Sequence, residues 1–183
     1  NGAMASAVNM LDDVHGGAGE QAVTFYRRIS DDIENGTEQA TAITRGITGW
    51  QKNEGNYIPG FGHRFHTPKD PRAPRLMELV EQACQAGTVS GKFATIAQAV
   101  ERELAARKGK PVPMNIDGAT AVIYAELGFP APLARGLFCL SRSVGILAHA
   151  HEQIEQGGRN KGPTPPQHLW TYIGQSPIGR GSK

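Results

Sequence analysis

Asn56-Tyr57-Ile58-Pro59-Gly60-Phe61-Gly62-His63-Arg64-Phe65-His66-Thr67-Pro68-Lys69-Asp70-Pro71-Arg72 is the stretch on which the reading of this chain turns. Three Pro and two Gly keep it out of any regular helix, yet helical periodicity flanks it on both sides. It gathers two imidazoles, His63 and His66, with Arg64, Lys69 and Arg72. A turn-rich loop of this composition on a helical scaffold reads as an anion site. Arg offers a planar fork of donors for carboxylate or phosphate, and Gly lets a ligand approach the backbone.

Upstream, Ala22, Phe25, Ile29 and Ile33 recur at helical spacing over 20–34, with Gly36 as the stop. Thr37 is placed to cap a helix that turns Ala40, Ile43, Ile47 and Trp50 inward. Residues 3–11 read as the tail of an earlier helix. Downstream, 74–86 carries Leu76, Leu79, Val80 and Ala83 and ends at Gly87. A further helix starts at Ser90 or Gly91, with Phe93, Ile96, Ala97, Val100 and Leu104 inward, and stops at 108–111. Residues 114–117 predict a short extended entry into a helix over 118–127, with Val122, Ile123 and Leu127 inward. The longest helix is predicted over 131–156. Its Leu133, Leu137, Leu140, Val144 and Leu147 fall at steps of four and three, which predicts a packed seam. A basic, Pro-rich stretch and an aromatic patch with Trp170 and Tyr172 follow. Without strand patterns or repeats, the fold class is all-α.

The bulk numbers fit a soluble globular protein. At 183 residues the chain can bury a core, and 39% hydrophobic with 20% charged residues is ordinary for that class. A net charge of +2 is too near neutral to imply nucleic acid or an anionic membrane as the main partner. No apolar run reaches the ~20 residues of a membrane span, and no secretory signal pattern opens the chain. Cys84 and Cys139 on apolar helical faces read as buried, reduced thiols, and the expected location is cytoplasmic.

Four residue groups outside and inside the loop invite chemistry. His15, in Asp13-Val14-His15-Gly16-Gly17-Ala18-Gly19-Glu20, reads either as a surface His or, if it shares a pocket with His63, as a neutral donor to a developing enolate. His63 reads either as a solvated loop residue or as a donor to a substrate carbonyl. Asp117, in Asn115-Ile116-Asp117-Gly118, reads either as the cap of the following helix or as a base whose proton affinity burial raises. These two roles compete, since a capping bond lowers the pKa that a base wants raised. Arg142, on the long helix, calls for a carboxylate partner from protein or ligand, and Arg72 follows Pro71 at a helix start. Metal ligation is set aside: His15, His63, His66 and His149 lack zinc-like spacing, and His149 and His151 lie on opposite helix sides.

Taken in order, His15-Gly16-Gly17, Pro59-Gly60-Phe61-Gly62-His63-Arg64, Asp70-Pro71-Arg72, Asn115-Ile116-Asp117 and Leu140-Ser141-Arg142-Ser143-Val144-Gly145 before His149 resemble the citrate synthase superfamily, over nearly the whole chain. The resemblance implies a two-domain helical fold, with 1–22 and 127–183 belonging to a large domain only partly present here and 23–126 forming a small one. It implies that His15 stabilises an enolate, His63 contacts the keto or hydroxyl oxygen of a C4 acid, and Asp117 is the acid/base on the thioester methyl. Arg72 and Arg142 would bind substrate carboxylates, and the loop backbone with Pro59, Gly60, Phe61, Gly62 and Arg64 would meet coenzyme A. No permanently bound cofactor or metal is implied. The coenzyme A thioester is itself substrate, acetyl-CoA or citryl-CoA, with oxaloacetate as the C4 acid.

Two departures bear on the reaction. Synthases of this superfamily usually have Phe where this chain has Gly118, which is closer to the citryl-CoA lyase branch and the lyase module of ATP-citrate lyase. That module has Phe-Gly-Gly where this chain keeps His15-Gly16-Gly17. The synthases also place an Arg three residues before a late Tyr-x-Gly and donate it to the neighbouring subunit. Here Tyr172-Ile173-Gly174 is preceded by Leu169, with Arg159 or Lys161 as possible substitutes. The reading leans to a citryl-CoA lyase, with a citrate or 2-methylcitrate-type synthase second and a non-catalytic binding member third. A homodimer or higher homo-oligomer is expected, and the start without Met inside a helix reads as a fragment.

Overall fold

The second helix, α2 (Gly17–Glu34), is the post around which the other helices pack. The computed structural model describes residues 1–157 and 165–168. In chain order it has α1 (Gly2–Asn9), a π-helical turn (Asp12–Gly16), α2, α3 (Gln39–Asn53), α4 (Ala73–Gln85), α5 (Lys92–Lys108), α6 (Ile116–Glu126), α7 (Ala131–Glu155) and a short 3-10 turn at Pro166–His168. Among the described residues the only extended pairing is one antiparallel bridge between Phe61 and Met114. The fold class is all-α.

Ala22, Val23, Phe25, Tyr26 and Ile29 of α2 are buried at helical spacing, and α3, α5, α6 and α7 all pack on this helix. Phe25 meets Trp50 of α3 edge-on, with ring centroids 5.5 Å apart. The inward face predicted for α5 is buried throughout, at Phe93, Ile96, Ala97, Val100 and Leu104. Its start needs help, because Gly91 has no side chain to cap with. Glu126, at the end of α6, accepts from the Phe93 amide at 2.7 Å and the Gly91 amide at 3.0 Å. Cys84 and Cys139 are both free thiols, each half-buried.

Several predicted details are different in the structure. Glu38, not Thr37, caps α3, its two oxygens accepting from Ala40 and Thr41 amides at 2.9 and 2.8 Å. With the start one residue later, Ala42 turns inward and Ala40 outward. On α4, Val80 is buried but Leu79 is exposed, and Ala73 and Met77 share the inner side with it. Helix α6 starts at Ile116, two residues early, and Leu127 caps its far end half-exposed.

The largest correction concerns α7. The predicted seam is not packed among the described residues: Leu133, Leu140, Val144 and Leu147 are all exposed, and Ala134 is the buried residue of this helix. The periodicity is real, but among the described residues α7 finds its neighbours in α1, α2, the π-helical turn and the edge of α6, and not along the seam. On length and composition alone, α7 is also apolar enough to cross a membrane. It nevertheless carries Arg135 in its first turns and Arg142 midway, and Arg135 is paired across to α2 and the turn before it.

Candidate active site

The 56–72 loop is held against the start of α6 by backbone and one side chain. The Gly62 amide donates to the Pro113 carbonyl at 2.7 Å, and the Asn115 amide to the Gly60 carbonyl at 2.9 Å. The Asn115 side chain then does two things. Its Nδ2 donates to the Gly62 carbonyl at 2.8 Å, and its Oδ1 accepts from the Asp117 and Gly118 amides at 3.0 and 3.1 Å. Asn115 is therefore the cap of α6, and the capping alternative for Asp117 is ruled out by geometry.

Gly60 and Gly118 make this docking possible. Gly60 has φ +85°, and a Cβ on Gly118 would lie 2.3 Å from the Gly60 carbonyl oxygen. The two backbones touch where any side chain would force them apart. The buried Tyr26 hydroxyl donates to the Gly118 carbonyl at 3.4 Å from beneath, and burial pushes this phenol well above its ordinary range.

Freed from capping, the half-buried Asp117 carboxylate makes no hydrogen bond among the described residues. Burial raises its pKa above the usual carboxylate range. Arg72 and Arg142 oppose that rise, Asp70 adds to it and His15 opposes it, so all four groups lie close enough to act on its charge. Asp117 thus feels the charges of Arg72, Arg142 and His15.

Arg72 is itself held. Its Nε and Nη2 donate to Asp70 Oδ1 and Oδ2 at 2.9 and 2.8 Å, and its amide donates to Oδ1 at 3.0 Å. The Ile116 amide donates to Oδ2 at 3.2 Å, which joins the start of α4 to the start of α6. Asp70 is fully buried, and these bonds, the Arg72 side chain first, hold its carboxyl down to about 2. Among the described residues Nη1 of Arg72 keeps its donors for another group. Arg142 is exposed. Its guanidinium sits over the Phe138 ring at 5.0 Å and has no ion pair among the described residues.

His63 is oriented by its own loop. The Phe65 and His66 amides both donate to its Nδ1 at 3.0 Å, which leaves Nε2 as the nitrogen available to donate. Its ring lies 4.3 Å from that of His66, which is near enough to act on the Asp70 charge. No bond links His63 directly to Asp117. What relates them is the docking of the loop on the start of α6, since His63 follows Gly62 and Asp117 stands two residues after Asn115, whose side chain bonds the Gly62 carbonyl. His15 sits in the π-turn, where the His15 and Gly16 amides both donate to the Leu11 carbonyl at 2.9 and 3.1 Å, and its side chain is exposed. Asp12, with φ +38°, is the strained residue of that turn.

The expected coenzyme contacts divide. Pro59, Gly60 and Phe61 are buried, and Phe61 packs edge-on against Tyr26, so their part is largely structural. Phe61, Gly62 and His63, with Lys108 and Lys110, line a cavity of about 190 Å³. Arg64 is exposed and lies over the Phe65 ring at 5.6 Å. Arg159, Lys161, Leu169 and the 172–174 motif lie outside the described residues. Sequence reasoning missed Asp70, although its place two residues before Arg72 was a signal, and it missed Asn115 as a cap and Arg135 altogether.

Residues 2–163 match the family model described as the citrate synthase C-terminal domain. Over 143 residues the chain is 33% identical to a citrate synthase from Acidithiobacillus ferridurans, covering 77% of this chain but 35% of that protein. Its fold is similar to that of a citryl-CoA lyase from Hydrogenobacter thermophilus, with TM-score 0.71, 28% identity and coverage of 95% of this chain and 63% of the other. It is also similar to a citrate synthase from Thermoplasma acidophilum solved in a ternary complex with carboxymethyl coenzyme A and oxaloacetate, with TM-score 0.62 and 25% identity, over 92% of this chain and 43% of that one.

Proposed function

We propose, from the premise that this chain belongs to the citrate synthase family, that the protein acts on the carbon–carbon bond between acetyl-CoA and oxaloacetate, and that it cleaves citryl-CoA. The observation that carries this reading is the uncommitted Asp117 carboxylate, its pKa raised by burial, among Arg72, Arg142 and His15. A carbon-acid base must be ionised yet poorly solvated, and the groups that follow the proton must already be in place.

In the condensation direction Asp117 takes a proton from the thioester methyl. His15 donates to the enolate oxygen that develops, and the enolate carbon attacks the keto carbon of the C4 acid. His63 Nε2–H donates to that keto oxygen as charge builds on it. Arg72, through its uncommitted Nη1, and Arg142 hold carboxylates. Cleavage is the same path reversed: the hydroxyl proton returns to His63 Nε2 as the keto group re-forms, the bonding pair returns to the acetyl fragment as an enolate held by His15, and protonated Asp117 delivers its proton to carbon. No redox or metal group enters these steps. The cavity beside His63 takes the nucleotide end of coenzyme A, with Lys108 and Lys110 facing its phosphates.

The preference for cleavage rests on Gly118 and on the likeness to the Hydrogenobacter lyase. The second reading, a synthase, is favoured by His15-Gly16-Gly17 and by relatives named citrate synthase. We further propose that 23–126 forms a small domain that closes on a larger one containing 1–22 and 127–183. The test is to supply the full-length protein with citryl-CoA in one assay and with acetyl-CoA plus oxaloacetate in another. Turnover of citryl-CoA well above the condensation rate supports the lyase. Condensation alone would make it a synthase, and neither reaction from a folded protein would end the enzyme reading.

A further inference from the structure

Arg135, in the first turns of α7, reaches across to the segment that carries His15. Its Nη2 donates to Asp13 Oδ1 at 2.6 Å and its Nε to Glu20 Oε2 at 2.5 Å. Asp13 lies in the π-turn and Glu20 in the first turn of α2, so the two carboxylates stand on either side of His15, Gly16 and Gly17. The guanidinium lies directly over the backbone between them: a Cβ on Gly17 would meet Arg135 Nη2 at 2.9 Å. The turn beneath is an irregular one. Leu11 accepts two amides at once, and Asp12 has a backbone conformation that few side-chain-bearing residues adopt. Such a turn persists when its surroundings fix it, and on the α7 side the ionic contacts to it come from this one residue.

We propose that Arg135 is a positioning residue that fixes the His15 turn, and through it the direction of the His15 ring, by clamping Asp13 and Glu20 to α7. The proposal rests on the reading of His15 as the enolate donor. Arg suits the task because its planar fork bonds two carboxylates at once, which the single ammonium of Lys does poorly. Gly17 beneath is part of the device, since a side chain there would push the guanidinium away.

The test uses the full-length protein and two readouts. In Arg135→Ala, hydrogen exchange at the His15 and Gly16 amides should speed up while amides of α3 and α5 keep their wild-type rates. Exchange of acetyl-CoA methyl protons with deuterated solvent, followed by NMR with a C4 acid bound, should slow by roughly 10- to 100-fold, the cost of misplacing a reacting group by about an ångström. The acetyl-CoA concentration for half-maximal exchange should stay where it was, and Arg135→Lys should recover part of the rate. Unchanged turn amides, wild-type methyl exchange, or a slowing matched by loss of protection across the core would each overturn the proposal. If Arg135→Ala does not fold, Asp13→Asn and Glu20→Gln each release one side of the clamp and are read the same way. His15→Ala separates the two claims. Wild-type methyl exchange in His15→Ala removes the His15 reading itself, whereas slow exchange there beside normal exchange in Arg135→Ala removes only the clamp.

Discussion

Two neighbouring substitutions at the start of α6 should have opposite effects, and the difference follows from who caps the helix. Asp117→Asn leaves both capping bonds in place, because Asn115 Oδ1 accepts them. It also removes a carboxylate whose ionised form burial disfavours. An Asp raised in the fold carries a cost that is absent below its unfolded pKa and fully present above the folded one. At neutral pH, Asp117→Asn should therefore hold or gain stability, while turnover falls by roughly 10²–10⁴-fold, the usual worth of a positioned base. Asn115→Ala should do the reverse in kind. It loses a cap worth about 1 kcal/mol and the bond to the Gly62 carbonyl worth about 1 kcal/mol more. For a protein of this size, that sum of about 2 kcal/mol lowers Tm by about 4–8 °C. Calorimetry and methyl-proton exchange on the same samples check both. A folded Asp117→Asn protein with near-normal turnover would refute the base assignment, and one destabilised as much as Asn115→Ala would refute the capping argument.

Three further outcomes are expected. Gly118→Ala places a methyl against the Gly60 carbonyl, which must move, and should cost about 1–3 kcal/mol or more in urea unfolding. Asp70, held down to about 2 in the fold, contributes stability that is complete above its ordinary value near 3.8 and is lost as pH falls toward 2. The loss is about 1–2 kcal/mol after discounting for the half-exposed Arg72, and Asp70→Asn should flatten that acid limb in pH-dependent unfolding. The full-length protein should be a dimer, because Leu140, Val144, Leu147 and Ile154 leave an apolar face on α7 that the other described residues do not cover. A stable monomer in light scattering would contradict this.

Much of the fold was legible because periodicity and core burial are the same fact seen twice. On α5 all five predicted inward residues are buried, since α5 packs against α2, α3 and α6 along its length. On α7 the same kind of pattern misled, because periodicity gives the apolar side of a helix but not whether a neighbour is present. Caps were less legible. Thr37 and Asp117 were plausible by residue type, but Glu38 and Asn115 win because each reaches two amides at once. Asp70 and Arg135 were harder still. Arg135 lies 122 positions from Asp13 and 115 from Glu20, and no local pattern announces a bond at that separation.

Asn115-Ile116-Asp117-Gly118 explains why the chemistry could be read from four letters while the roles within them could not. Asn115 is the cap and the tie to the loop, and the Ile116 amide donates to Asp70, so the carboxylate partner of Arg72 is fixed from this side too. Gly118 removes the side chain that would hold the loop away. Each of the other three residues thus takes over a backbone or packing duty that Asp117 would otherwise share, and Asp117 keeps its carboxylate for a substrate. If this division is right, the three structural residues should be coupled to one another and not to the base. In double-mutant cycles, Asn115→Ala with Gly118→Ala should depart from additivity in stability by about 0.5 kcal/mol or more, because both loosen the same loop contact. Asn115→Ala with Asp117→Asn should be additive in stability within about 0.5 kcal/mol. Strong coupling in the second pair would mean that the Asp117 carboxylate does bear on the fold, and that its isolation in the structure is not the state that matters in solution.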